Sequence, residues 1–113
     1  MQLIIKAKQS VPAGAYQGRF VGVTQEANDK GPCLRWVWEL SQGQYAGQKV
    51  GRTTGTGGAT PNNGLGKVVA GLSGKPITAD LAFSPNDCVG KTYMLIVAHT
   101  PNGAPYVESI ALI

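Results

Sequence analysis

A glycine-dense stretch, residues 51–69 ("GRTTGTGGATPNNGLGKVV"), comes closest of any segment to a chemical motif. It reaches a Gly-Lys pair and then turns apolar, as a phosphate-binding P-loop does before its helix. That motif requires Gly, four residues, Gly-Lys and then Ser or Thr. Here Pro61 replaces the first glycine, and Val68 follows Lys67 where a hydroxyl would ligate magnesium. The stretch therefore predicts a mobile loop that leads into a helix, and not a nucleotide site.

Other residues that could carry catalysis or hold a metal are few. His99 is the single histidine, and the two cysteines, Cys33 and Cys88, lack the CxxC spacing of a metal or redox site. The aspartates show no spacing that implies a pair. We therefore expect no enzyme, no metal site and no cofactor. Two free thiols are the favoured state of the cysteines, and a disulfide between them is the alternative.

The composition indicates one small, turn-rich β domain. The chain has 113 residues, of which 42% are hydrophobic and only 14% are charged. That length suits a single domain spanning residues 1–113, with residues 1–10 as an N-terminal arm or edge strand. Sixteen glycines and seven prolines favour strands and turns over a helical bundle. The net charge of +4 favours a polyanionic partner.

Hydrophobic periodicity predicts five strands and one helix. The clearest strand is the second, in which Leu34, Trp36, Trp38 and Leu40 alternate with more polar residues. Residues 25–32 and 41–47 are predicted hairpin loops because they are polar and rich in turn-forming residues. Glycines at 18 and 22 predict a bulge in the first strand. The five strands are predicted at residues 15–24, 33–40, 48–54, 92–99 and 106–113.

The helix is predicted between the third and fourth strands. Thr60 and Pro61 form a good start, with a hydroxyl cap followed by proline at the first helical position. Gly74 is the expected stop. A second hydroxyl-proline start, Ser84-Pro85, leaves room for a single turn. One apolar stripe at helical spacing consists of Leu65, Val68, Val69 and Leu72.

This order of elements is that of an OB-fold, a five-stranded Greek-key barrel with a helix between strands three and four. An SH3-like barrel is the main competitor. The longest apolar run, residues 94–98, is too short to span a membrane, and the N-terminus lacks the apolar centre of a signal peptide. We therefore expect a cytoplasmic protein.

Five short patterns, in order and across nearly the whole chain, carry a family resemblance. They are Pro-Ala-Gly-x-Tyr at 12–16, Leu-Arg-Trp at 34–36, Tyr-Ala-Gly-x-x-Val at 45–50, Thr-Pro with Leu-Gly-Lys at 60–67, and Val-Gly-Lys at 89–91. The sequence resembles small phage-encoded and bacterial OB-fold proteins that bind single-stranded DNA in replication and recombination. The resemblance implies that fold and that function, in a bacterial or phage-infected cell. The helix departs from the family pattern because it is richer in glycine.

Binding a single strand requires cations that follow the phosphates and aromatic faces that stack on bases. In OB-folds the usual ligand surface is the face of strands two and three with the adjoining loops. Both indoles are expected in the core if the second strand alternates regularly, whereas a bulge would expose Trp36 for stacking and make its fluorescence sensitive to DNA. The predicted nucleic-acid-binding residues are Arg19, Lys30, Arg35, Trp36, Tyr45, Lys49, Arg52 and Tyr106.

The low charge content also supports a different function. A structural or adaptor module could use the same barrel for contacts with other proteins, and short edge strands could pair with another subunit. The expected partner is single-stranded DNA, with RNA, a second copy of the chain, and replication or recombination proteins as further candidates. No membrane partner is expected.

Overall fold

A computed structural model describes residues 11–29, 31–57, 63–77 and 83–113. Within them, five antiparallel strands pair in the order β3-β2-β1-β4-β5, and the helix lies between β3 and β4 as predicted. The end strands β3 and β5 also contact each other, so the sheet is compatible with a small barrel. No helix of the described segments is long and apolar enough to cross a membrane. The elements are β1 (Gly14–Asn28), β2 (Gly31–Leu40), β3 (Lys49–Gly55), α1 (Gly64–Ser73), a 3₁₀ turn (Pro85–Cys88), β4 (Thr92–His99) and β5 (Pro105–Leu112).

The core lies on the face of β2 that the alternating residues predicted. Trp36, Trp38 and Leu40 are at most 2% exposed. The ring of Phe20 on β1 packs between the two indoles, with centroid distances of 6.3 Å to Trp36 and 5.4 Å to Trp38. The Trp36 indole N–H donates to the Thr54 hydroxyl at 2.9 Å, inside the core. Both tryptophans are therefore core residues.

Strand β1 is longer than predicted. Its pairing with β2 continues to Asn28 opposite Gly31, so residues 25–28 are strand and the predicted loop over 25–32 is wrong. Residues 25–28 are all exposed, so no alternation of apolar residues marked them as a strand in the sequence. The predicted bulge is present, because the register shifts between Phe20 and Gly22. We refer to residues 23–29 and 31–34 of this hairpin as the ribbon.

Helix α1 packs its apolar stripe on the sheet as predicted. Val68, Val69 and Leu72 are buried. The helix ends at Gly74, whose left-handed conformation (φ 71°) fits the predicted stop. Its cap is Asn63, whose side chain accepts from the Gly66 N–H at 2.7 Å, and not the predicted Thr60. Thr60 and Pro61 themselves lie outside the described residues.

Close contacts at two places hold α1 against the sheet. A Cβ atom at Gly71 would lie only 2.8 Å from the Ile110 carbonyl oxygen on β5, so glycine allows the helix to approach the strand closely. At the helix end, the Tyr93 hydroxyl donates to the Leu72 carbonyl at 2.8 Å, and the Cys88 thiol approaches the same oxygen at 3.7 Å. Cys88 and Cys33 are both buried and free, which confirms the favoured state of the thiols.

Candidate nucleic-acid interface

The strand register defines a second face of β1, β2 and β3, opposite the core. Residues paired across antiparallel strands point to the same side, so each matched trio forms one row. We call the surface made by three such rows the outer face. Its rows are Arg19–Glu39–Lys49, Gly22–Val37–Gly51 and Thr24–Arg35–Thr53.

The first row carries two cations around one carboxylate. Arg19 on β1 and Lys49 on β3 are both exposed, and each is the direct cross-strand partner of Glu39 on β2. The carboxylate offsets part of the charge between them. The cations at the two ends of the row remain accessible to an anionic chain that crosses the strands.

The side chain of Arg35, at the centre of the third row, lies against β3. Its guanidinium sits directly over Gly51, since a Cβ atom there would be 2.9 Å from both the guanidinium carbon and Nη2. Its Nη1 donates to the Thr53 hydroxyl at 3.3 Å. The side chain is half-buried. Gly51 and Thr53 therefore hold the guanidinium in one place, and neither residue was identified from the sequence, although a glycine inside a strand is a known sign of close approach.

Arg52 does not belong to this surface. It is the partner of Trp36, so it points toward the core side of β3. Its Nη1 donates to the Glu108 carbonyl on β5 at 2.7 Å, which links the two end strands of the sheet. Because side chains alternate along a strand, Arg52 and Lys49 at a spacing of three could not share a face. The grouping of these two cations on one surface was therefore wrong.

The predicted aromatic residues are also dispersed. Trp36 is 2% exposed, so no base can stack on it in this structure. Tyr45 is half-buried and makes an edge-to-face contact with Tyr16, at a centroid distance of 6.2 Å. Tyr106 is half-buried on β5, opposite Ala98 and away from β2. Lys30 lies outside the described residues. Arg19, Arg35 and Lys49 are the predicted residues that the outer face brings together.

A separate groove of about 390 Å³ lies between α1 and β5. Arg52 and Lys67 line it together with Glu108 and Gly71. The glycine-dense stretch is therefore divided between two elements: its first five residues belong to β3, and residues 64–69 belong to α1. Arg52 already donates a hydrogen bond to the backbone carbonyl of Glu108, and the negative charge of the Glu108 carboxylate disfavours the binding of an anion in the groove.

The outer face thus offers three cations, among them the Arg35 guanidinium held over Gly51, and a guanidinium can bind phosphates and stack on planar groups. No protein-family model matches the sequence, and no curated protein matches it significantly, so function has to be inferred from this face.

Proposed function

We propose that the protein binds single-stranded DNA along the outer face, without catalysis and with little sequence preference. One observation carries the proposal: among the nine positions of the outer face, Arg19, Arg35 and Lys49 are cationic and only Glu39 is acidic. Cations spread over three neighbouring strands are suited to follow the phosphates of an extended strand.

The strand order gives further support. We propose an OB-fold, because β3 and β5 approach each other at the ends of the order and α1 lies between β3 and β4. In that fold the surface of β2 and β3 is the usual ligand surface. The resemblance to phage and bacterial single-stranded-DNA-binding proteins in replication and recombination points to the same surface.

The outer face has no aromatic ring at its nine positions, which shapes the expected binding. Electrostatic attraction to phosphates then supplies most of the affinity, so binding should weaken steeply with salt. Three phosphate contacts give a slope of log K against log salt of about −2 for a single strand. Tryptophan fluorescence is a poor readout, since both indoles are buried.

The test is anisotropy of a dye-labelled dT15 oligonucleotide titrated with protein from 50 to 300 mM salt. The Arg19→Ala/Lys49→Ala double variant should reduce the salt slope to about −0.7, because one cation of three remains. Lys75→Ala is the matched control, since Lys75 is exposed after α1 and away from the outer face. If the anisotropy stays constant at micromolar protein and low salt, the proposal is refuted.

A protein-interaction module is the second candidate, and one observation favours it. Where the outer face continues over β4 and β5, Ile96 is 38% exposed beside half-buried Met94 and exposed Ala111. Such a surface suits contact with another protein, including a second copy of the chain. Light scattering over a concentration series measures self-association. This candidate would be favoured if the protein does not bind dT15 and if its self-association is lost in the Ile96→Glu variant.

A further inference from the structure

We infer that Arg35 is a stacking platform for an unpaired base, and that Gly51 and Thr53 are the residues that make it one. The inference rests on the proposed function and specifies which part of the ligand this site recognises. It follows from the geometry of one guanidinium on the outer face.

The first step is the position of the guanidinium. With its carbon and Nη2 both 2.9 Å from the place where a Cβ of Gly51 would be, the group lies over the strand instead of extending into solvent. Any side chain at position 51 would displace it. The neighbouring backbone is equally close, since the same Cβ would lie 2.5 Å from the Trp36 carbonyl oxygen.

The second step is orientation. The hydrogen bond from Nη1 to the Thr53 hydroxyl fixes the rotation of the guanidinium in its own plane. Thr24 flanks Arg35 from β1, in the same row, and Arg35 makes no hydrogen bond to it in the described structure. Arg35 is thus held on its β3 side, and its side chain remains partly exposed to solvent.

The third step is chemical. A guanidinium is planar, delocalised and weakly hydrated, so it stacks on aromatic faces, whereas an ammonium acts as a point charge. A base can lie on that plane only if it is unpaired and unstacked from its neighbours. The outer face lacks an aromatic ring at its nine positions, so the guanidinium groups of Arg19 and Arg35 are the groups there that can contact a base face, and Arg35 is the one that Gly51 and Thr53 hold in place. The platform therefore selects single strands over duplex.

The experiment compares two ligands of equal length and charge: dT15 and a fifteen-unit abasic strand that keeps the phosphates and lacks the bases. Stacking of one base predicts that the protein binds dT15 more tightly by about 5- to 140-fold. Arg35→Lys keeps the charge and removes the plane, so affinity for dT15 should fall toward that for the abasic strand, which itself should not change.

A second pair of variants guards against trivial loss of folding. Thr53→Val removes the hydroxyl that orients the guanidinium and keeps the β-branched shape, so it should lower the preference for dT15 about two- to tenfold. Thr56→Val makes the same change at an exposed threonine beyond the end of β3, outside the outer face, and should leave the preference unaltered. Thermal melts of all variants verify folding.

The outcomes separate this inference from the proposed function. If the wild-type protein binds both strands equally, or if Arg35→Lys weakens both equally, Arg35 contacts phosphates and no base, and the platform is refuted while DNA binding stands. If neither strand binds at low salt, the proposed function itself fails. A preference for bases that disappears only in Arg35→Lys and weakens in Thr53→Val establishes the platform.

Discussion

Replacing Gly71 with alanine sets two effects against each other. Alanine favours a helix interior over glycine by up to about 1 kcal/mol, so helix propensity alone predicts stabilisation. In the structure, however, the new methyl would lie 2.8 Å from the Ile110 carbonyl oxygen and 2.9 Å from Ile110 Cβ, where ordinary contact begins at 3.4 Å. The obstacle is backbone and a β-branched carbon of a neighbouring strand, so it cannot rotate away.

The relative sizes of these two effects decide whether alanine stabilises or destabilises the protein. Overpacking of this kind costs about 1–3 kcal/mol, which exceeds the gain in propensity. We expect Gly71→Ala to lower the free energy of unfolding by about 1–2 kcal/mol net. For a chain of this size that loss corresponds to a fall in Tm of about 4–8 °C.

The assay is thermal unfolding followed by circular dichroism, with urea unfolding as a second measure of stability. Gly64→Ala is the control, because the nearest atom to its new methyl is the flexible end of Arg52 at 3.3 Å. That variant should melt at the wild-type temperature or slightly above it. A Tm for Gly71→Ala above that of the wild-type protein would show that α1 does not pack against β5 as closely as described.

Two other changes test the core. Thr54→Val leaves the buried Trp36 indole N–H without its acceptor and should cost about 1–3 kcal/mol in urea unfolding; a loss below about 0.5 kcal/mol would contradict this hydrogen bond. Burial, with a contribution from the Cys88 contact, raises the pKa of the Tyr93 hydroxyl. Its contribution to stability is therefore complete below pH of about 10, where unfolded tyrosine is also protonated, and it falls by up to about 1.4 kcal/mol per pH unit above that. Urea unfolding at pH 8 and 11 should show a smaller alkaline loss in Tyr93→Phe than in wild type, and equal losses would mean that Tyr93 ionises freely.

Much of the fold follows from patterns within single elements. The alternation in β2 correctly predicted which residues face the core, and helical spacing correctly predicted the buried stripe of α1 that includes Val68 and Leu72. Gly74 marked the helix end because few other residues adopt its left-handed conformation. In each case one local rule and burial against the sheet agree.

The candidate site was harder to predict, because it depends on contacts between strands. Nothing in the sequence near Arg35 shows that Gly51 will be close enough to lie beneath it, since the two residues meet only through the β2–β3 register. Arg52 was grouped with Lys49 because both lie on β3, whereas the alternation of side chains along that strand puts them on opposite faces. The β1 part of the ribbon, residues 25–28, was missed because all four residues are exposed and leave no hydrophobic pattern.

The ribbon has a consequence for amide hydrogen exchange. Pairing of β1 with β4 stops at Arg19, and the backbone groups of Phe20 bond to the turn before β4, where the Phe20 N–H donates to the Lys91 carbonyl and the Phe20 carbonyl accepts from Gly90. Beyond this point the described strands pair with β1 on its β2 side alone.

Pro32 has no N–H and lies opposite Ala27, so these two residues cannot form the two reciprocal backbone hydrogen bonds of a bonded pair. In an antiparallel ladder bonded and non-bonded pairs alternate, so the N–H groups of Val23, Gln25 and Ala27 point away from β2. Along the ribbon, every second amide of β1 should therefore exchange with solvent at nearly the rate of an unfolded peptide. The amide protons of Thr24 and of the other β1 residues that bond to β2 should be retained for as long as the hairpin stays closed. Amide exchange rates measured for each residue should therefore alternate between fast and slow along this part of β1, and this alternation would report the register of the two strands.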